Sequence, residues 1–275
     1  MDAGETRRAV EAATSTASKL GLRVDNTVVL HNSNRIAVRL TPCDALARVG
    51  PASHQDDFEF EVEVARRLTA ADSPVGELEP RVEPRVHTRD GFVVTLWTYY
   101  EPVEPPELAA AAYAQALARL HAGLRRIDLD APSFADEVAH RRRLVAETEQ
   151  TPDLPAADRE FLANALDRLI AAIGRARVAR QLLHGEPHPD NVLNTKRGPL
   201  FVDLGTCCRG PVEYDLAFVP EDVAARYPGV DGELVQQCRA LQWAMFAALR
   251  WSRDDQLPNR SYWRAEGLNR VRAAL

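Results

Sequence analysis

The chain has 275 residues, 45% of them hydrophobic, enough apolar side chain for one large domain or for two lobes. A formal net charge of -6 speaks against nucleic acid as a partner, because neutralising phosphates needs a basic face. No apolar run approaches the roughly 20 residues needed to cross a bilayer. The N-terminal stretch also lacks the uninterrupted apolar core of a signal peptide, so the expectation is a cytoplasmic protein without a membrane partner.

Residues 1–21 carry the alanine-rich, charged pattern of a helix. Residues 26–50 alternate short β-favouring runs with turn clusters, which predicts three antiparallel strands over 28–30, 36–40 and 45–49. DDFEFEVEVARRLTAA fits both a strand alternation and a helix. Asp56 and Asp57 as N-terminal acids, and the alanine-rich end, favour the helix. A strand over 91–97 follows the turn Asp90-Gly91, and the run Tyr99-Tyr100-Glu101-Pro102 with Pro105 and Pro106 marks a lobe boundary, drawn between 98 and 99. Beyond it, Tyr113, Leu117, Leu120 and Leu124 share one helical face. Leu162, Leu166, Leu169 and Ile173 share another, and Leu234, Cys238, Leu241, Met245 and Leu249 a third.

Between the last two helices lies LLHGEPHPDNVL, residues 182–193, followed by a hairpin turning at Lys196-Arg197-Gly198 into 199–203. The four cysteines, Cys43, Cys207, Cys208 and Cys238, have no CxxC spacing and predict reduced thiols. The fold class that follows is α+β and bilobal: a small β-rich N-lobe (1–98) and a larger helical C-lobe (99–275).

Phosphoryl transfer needs a carboxylate to orient the attacking hydroxyl and a side-chain oxygen nearby for Mg2+. It also needs a second metal carboxylate at a strand end, and a cation for the nucleotide phosphates. Glu186 and Asn191 have the spacing of a kinase catalytic loop, and Asp203 ends the following hairpin. The run His184-Gly185-Glu186-Pro187-His188-Pro189-Asp190-Asn191 resembles the catalytic loop of aminoglycoside phosphotransferases and choline-kinase-like relatives, H-G-D-x-x-x-x-N. Phe201-Val202-Asp203, the later Gly210-Pro211-Val212-Glu213-Tyr214-Asp215-Leu216-Ala217 and the helix Ala116-Leu117-Ala118-Arg119-Leu120-His121 are similar to that family's other segments, in the same order.

The resemblance implies a protein-kinase-like fold and an O-phosphotransferase that uses ATP or GTP with Mg2+ on a hydroxyl of a small molecule, an aminoglycoside or other antibiotic among the candidates. It implies Glu186 as catalytic base, Asn191 and Asp203 as metal ligands, and His184 and Asp215 as supports of the loop, with His188 near phosphate or in a structural place. In the N-lobe it implies Arg48 at the phosphate cation, paired with Glu61 (Glu59 and Glu63 being the alternatives). Ser33 falls in the phosphate-covering turn Asn32-Ser33-Asn34, and Trp97, Thr98 and Tyr99 in the hinge that meets the purine.

Two positions depart from the family pattern: glutamate for aspartate at 186 and arginine for lysine at 48. They keep open a catalytically impaired, pseudokinase-like nucleotide-binding protein. A metal-dependent hydrolase using His184, Glu186, His188 and Asp203 is a further alternative. For the acceptor, Glu213, Glu221, Asp222, Asp231 and Glu233 are candidate acids for a polyamine, with helix starts the competing explanation. Trp243, Trp251, Tyr262 and Trp263 line a pocket or fill the core.

Overall fold

The computed structural model describes residues 1–33, 35–103 and 107–275; Asn34, Pro105 and Pro106 of the predicted turns lie outside them. Helix α1 (Ala3–Lys19) opens with a capping box: Asp2 accepts from the Glu5 amide at 2.8 Å, and Glu5 from the Asp2 amide at 3.2 Å. There follow β1 (Val24–Asn32), β2 (Ile36–Pro42), β3 (Ala45–Pro51), α2 (Gln55–Ala70), β4 (His87–Arg89), β5 (Phe92–Thr98) and α3 (Ala110–Leu124). Next come α4 (Phe134–Ala146), α5 (Ala156–Arg175), β6 (Gln181–Leu183), β7 (Val192–Thr195), β8 (Gly198–Phe201) and β9 (Cys208–Gly210). The chain ends in α6 (Val212–Leu216), α7 (Glu221–Ala224), α8 (Gly232–Arg250) and α9 (Arg260–Ala274).

These elements form two compact units: Met1–Ile127 with Asp190–Thr206, and Asp128–Pro189 with Cys207–Leu275. The packing therefore divides the chain at different places from the compositional boundary at 98/99. Helix α3 packs on β8, and the hairpin β7–β8 belongs with the sheet.

The first unit is built on an antiparallel sheet of order β1-β2-β3-β5-β4. Alanines 9, 12, 13 and 17 of α1 face Val38, Leu40, Ala45, Ala47, Val49 and Val94, the small side chains letting the helix lie close to the strands. Alternation along β3 buries Ala45, Ala47 and Val49 in this core and turns Arg48 to the opposite face. Asp90 and Gly91, both at positive φ, form the two-residue turn between β4 and β5 that the sequence announced. In α2, Phe58, Glu61, Val62, Ala65 and Leu68 are buried at helical spacing, so a glutamate occupies a position otherwise reserved for the core. A Cβ on Gly123 of α3 would meet Ser73 Oγ, so a larger residue there requires the Ser73 side chain to move.

The second unit is helical. Leu162, Leu166 and Ile173 of α5 meet Cys238, Leu241 and Ala244 of α8 and Leu268 and Val271 of α9 in one core. Helix α4 is capped by Ser133, whose side chain accepts from the Ala135 amide at 3.2 Å. The strand pair β6–β9 carries the loop of interest at its end. Cys207, Cys208 and Cys238 are buried free thiols, and Cys43 is partly exposed. Among the described residues, no helix is long and apolar enough to cross a membrane.

Candidate active site

In the sheet unit, Arg48 joins two carboxylates. Its Nη1 donates to Glu61 Oε1, and its Nη2 donates to Asp203 Oδ1 at 2.7 Å. Glu59 and Glu63, the alternatives for the partner, are engaged elsewhere, Glu59 by Gln55 and Glu63 by Arg66 and Arg67. A second cation completes the group: Arg35 Nη1 donates to Glu61 Oε2 at 3.0 Å and stands 3.8 Å from Asp203 Oδ1, its guanidinium 4.6 Å above the Phe58 ring. Glu61 is fully buried, and a backbone hydrogen bond from Leu204 reaches it as well.

Burial pushes the Glu61 carboxyl upward and Arg48 and Arg35 pull it back. The neighbouring Asp203 pushes in the same direction as burial, and the carboxyl stays above its ordinary value while each of its oxygens accepts from a guanidinium. For Arg48, burial opposes the charge, but Glu61 and Asp203 outweigh it and raise its pKa. Asp203 adopts φ 63°, a left-handed conformation that aspartate tolerates better than most side chains. The 2.7 Å bond to Arg48 sets its carboxylate beside the guanidinium.

Ser33, Arg35, Arg48, Asp57 and Asp203 line one cavity of about 380 Å3. Three sequence-predicted residues, Ser33, Arg48 and Asp203, thus meet in one place, with Glu61 packed behind them. Arg35 is the member that sequence reasoning missed. Asn191 ends a short 3-10 turn, and its carbonyl accepts from the Val202 amide at 3.0 Å, which holds Asn191 one residue from Asp203 across the hairpin. Trp97, Thr98 and Tyr99 are not part of this cavity lining. The Thr98 amide donates to Glu77 O at 2.9 Å and the Tyr99 amide to Asp44 O at 3.4 Å, while the Tyr99 ring carries Arg39 at 4.0 Å. The Thr98 and Tyr99 amides thus have partners inside the unit.

In the helical unit, the fully buried Asp215 accepts from the amides of His184 and Gly185, both at 2.9 Å. Gly185 has φ 92°, which lets the chain turn sharply after β6. His184, also buried, accepts from the Glu186 amide through Nδ1 at 3.3 Å, so that nitrogen carries no proton. Three successive backbone amides are thereby fixed, and Glu186 is left exposed at the end of a rigid loop. His188 is half-buried in the same loop. Among the described residues, no group of three or more His, Cys, Asp or Glu side chains is arranged to hold a metal ion.

Comparison with known proteins bears on the family and the fold. The profile of the phosphotransferase enzyme family (APH) matches residues 18–252. Among curated proteins none matches the sequence. Several solved structures match nearly the whole chain. Amicoumacin kinase, in complex with AMP-PNP, Ca2+ and Ami, shares 11% identity over 99% of this chain and 96% of that one, at a TM-score of 0.74. Aminoglycoside 2'-phosphotransferase-IIIa in its GDP complex shares 16% over 97% and 98%, at 0.69. A choline/ethanolamine kinase family protein from Mesorhizobium loti shares 14% over 98% and 94%, at 0.67. At such identities the likeness is one of fold, and the fold is that of the protein-kinase-like phosphotransferases. The match to the family profile covers most of the sequence, and the chain belongs to the phosphotransferase enzyme family.

Proposed function

We propose that the protein is a cytoplasmic, ATP- or GTP-dependent O-phosphotransferase that phosphorylates a hydroxyl of a small molecule, with antibiotics the leading acceptor class. The observation that carries this reading is Arg48 bridging Glu61 and Asp203 in the cavity lined by Ser33 and Arg35. Two guanidiniums braced by one buried carboxylate make a preorganised anion site. Their planar donor forks match phosphate oxygens in pairs. Nucleotide phosphates would take up the donors that now hold Asp203.

Asn191 and Asp203 offer hard oxygen donors, few in number, which fits Mg2+, an ion that keeps several waters and completes its shell with substrate phosphates. When bound, that ion would neutralise charge on the phosphates. AMP-PNP with Ca2+ in the amicoumacin kinase complex, and GDP in the aminoglycoside phosphotransferase, support nucleotide and divalent-ion use. Glu186 orients the acceptor hydroxyl and accepts its proton. Its extra methylene moves the carboxylate by roughly 1 Å relative to aspartate, and the braced loop fixes where that carboxylate starts. The lobe roles proposed with this reading are nucleotide binding for residues 1–98 and acceptor binding for 99–275.

A second reading, a nucleotide-binding protein without transfer, draws on the same bond from Arg48 to Asp203, which occupies an oxygen that a metal would use. One experiment separates the two: transfer from γ-labelled ATP and GTP, with Mg2+, to a panel of aminoglycosides, other hydroxylated antibiotics and amino alcohols, with Asp203→Ala alongside. Transfer that vanishes in the variant supports the kinase. Nucleotide binding without transfer to any acceptor favours the second reading, and absence of nucleotide binding sinks both.

A further inference from the structure

The helical unit holds a cavity of about 730 Å3, within the range of sites for drug-sized molecules, and Glu186 stands in its lining. Its walls are mostly aromatic and aliphatic. Trp243 and Phe246 of α8 and Trp263 of α9 form a continuous edge-to-face run, with ring centroids 5.6 and 5.7 Å apart. Across the cavity Phe218 meets the ring of Tyr214 at 5.6 Å. The rings are held from outside the run: Arg270 stacks on Trp243 at 4.2 Å and Arg250 on Phe246 at 4.7 Å. Such a wall is rigid and offers flat apolar surface.

Apart from Glu186, the charged residues of the lining stand in pairs. Glu221 receives Arg239 at 2.9 Å, and Glu137 is paired with Arg141 one helical turn along α4. All four of these residues line the cavity. Of the acids considered above for a polyamine, Glu213 is buried and accepts from the Asp231 amide at 3.4 Å, while Asp231 caps α8. Only Glu221 reaches the cavity, and it arrives with its own arginine. A polycation would have to compete with Arg239 and Arg141 for the carboxylates of Glu221 and Glu137.

We infer that this cavity binds the acceptor by its apolar body: a hydroxylated molecule with a large aromatic or aliphatic surface and at most one positive charge, rather than a polycationic aminosugar. The inference rests on the phosphotransferase reading for the word acceptor, and on the cavity alone for the chemical class.

The test uses the full chain and three probes: chloramphenicol, a neutral aromatic diol; erythromycin, a bulky aliphatic polyol with one amine; and kanamycin, a polycation. Binding is followed by tryptophan fluorescence and calorimetry, separately from phosphate transfer. At least one apolar probe is expected to bind 10-fold or more tightly than kanamycin. Phe246→Ala and Trp243→Leu each weaken that binding 10-fold or more without changing nucleotide affinity, and either suffices if the other fails to fold. Kanamycin binding tightest and weakening in Glu221→Gln would overturn the assignment while leaving the phosphotransferase reading in place. Neither apolar probe binding would overturn it too. Apolar binding without transfer to any probe supports the cavity's chemical class, and the phosphotransferase reading is then decided by the wider acceptor panel with Asp203→Ala.

Discussion

Replacing Glu61 with alanine tests the network at its centre. Glu61 is fully buried, and the Arg48 and Arg35 side chains that donate to it are only 15% and 21% exposed. Removing one partner of a buried ion pair costs roughly 3–5 kcal/mol, because the charge left behind has lost both water and its counter-ion. Here the residual arginines keep Asp203, whose side chain is 40% exposed, so the cost is lowered to roughly 2–4 kcal/mol. For a unit of this size that is a fall in Tm of roughly 5–15 °C.

Pairing the change with Arg48→Met should recover part of the loss, since deleting both charges leaves fewer unsatisfied groups than deleting one. The coupling expected from a double-mutant cycle is roughly 1–3 kcal/mol. Urea melts followed by circular dichroism give the stabilities, and hydrogen exchange over α2 and β3 shows whether the loss is local. The two units have separate cores, so a single two-state transition is not assumed. A Glu61→Ala protein within about 0.5 kcal/mol of wild type, uncoupled to Arg48, would refute the reasoning.

Arg35→Ala removes charge-assisted hydrogen bonds at the phosphate site, each worth roughly 1.5–3 kcal/mol, so the nucleotide KM should rise about 10-fold or more with kcat little changed. Arg35→Lys should restore part of it, and steady-state kinetics in nucleotide concentration checks both. Asp215→Asn sets an amide donor against the amides of His184 and Gly185, for an expected loss of roughly 2–4 kcal/mol and a fall in kcat, measured by thermal melts and initial rates. Burial alone would raise the Glu79 carboxyl, but bonds from Arg81 outweigh it and hold it below its ordinary value. Its stabilisation is therefore complete above the ordinary carboxylate pKa and lost as pH falls through the lowered one. Between about pH 5 and pH 3 wild type should lose slightly more stability than Glu79→Gln, by under about 1 kcal/mol because Arg81 is half exposed, as read from pH-dependent melts.

Much of the site was legible because its motifs keep the order and spacing of a known family: Arg48 falls at the outward position of an alternating strand and Asp203 ends a hairpin. Glu61 was one of three glutamates on its helix, and only its burial at an otherwise apolar position separates it from Glu59 and Glu63. Arg35 carries no such signal: it follows a polar turn, where charge is ordinary, and only the folded contact with Phe58 and Glu61 gives it meaning. Helix α4 buries only Phe134, Val138 and Val145, too few apolar positions for a period, although Ser133 and Asp136 carried a start signal. Helix α9 docks through Gly267 against Ala247, a close approach of backbones that no hydrophobic count records. Strands β4, β6 and β9 have three residues each, too short for alternation. The four aromatics divide in the fold: Trp243 and Trp263 line the cavity of about 730 Å3, Trp251 is buried in the core, and Tyr262 is 60% exposed.

The central claim is that Glu186 is the base of a working phosphotransferase. The most direct measurement compares wild type and Glu186→Gln by single-turnover phosphorus NMR with Mg2+ and nucleotide on an accepted substrate, with nucleotide affinity measured on the same samples. The account predicts that the variant binds nucleotide as wild type does, while the phosphomonoester signal grows at least about 100-fold more slowly. A variant that transfers phosphate at the wild-type rate would contradict it.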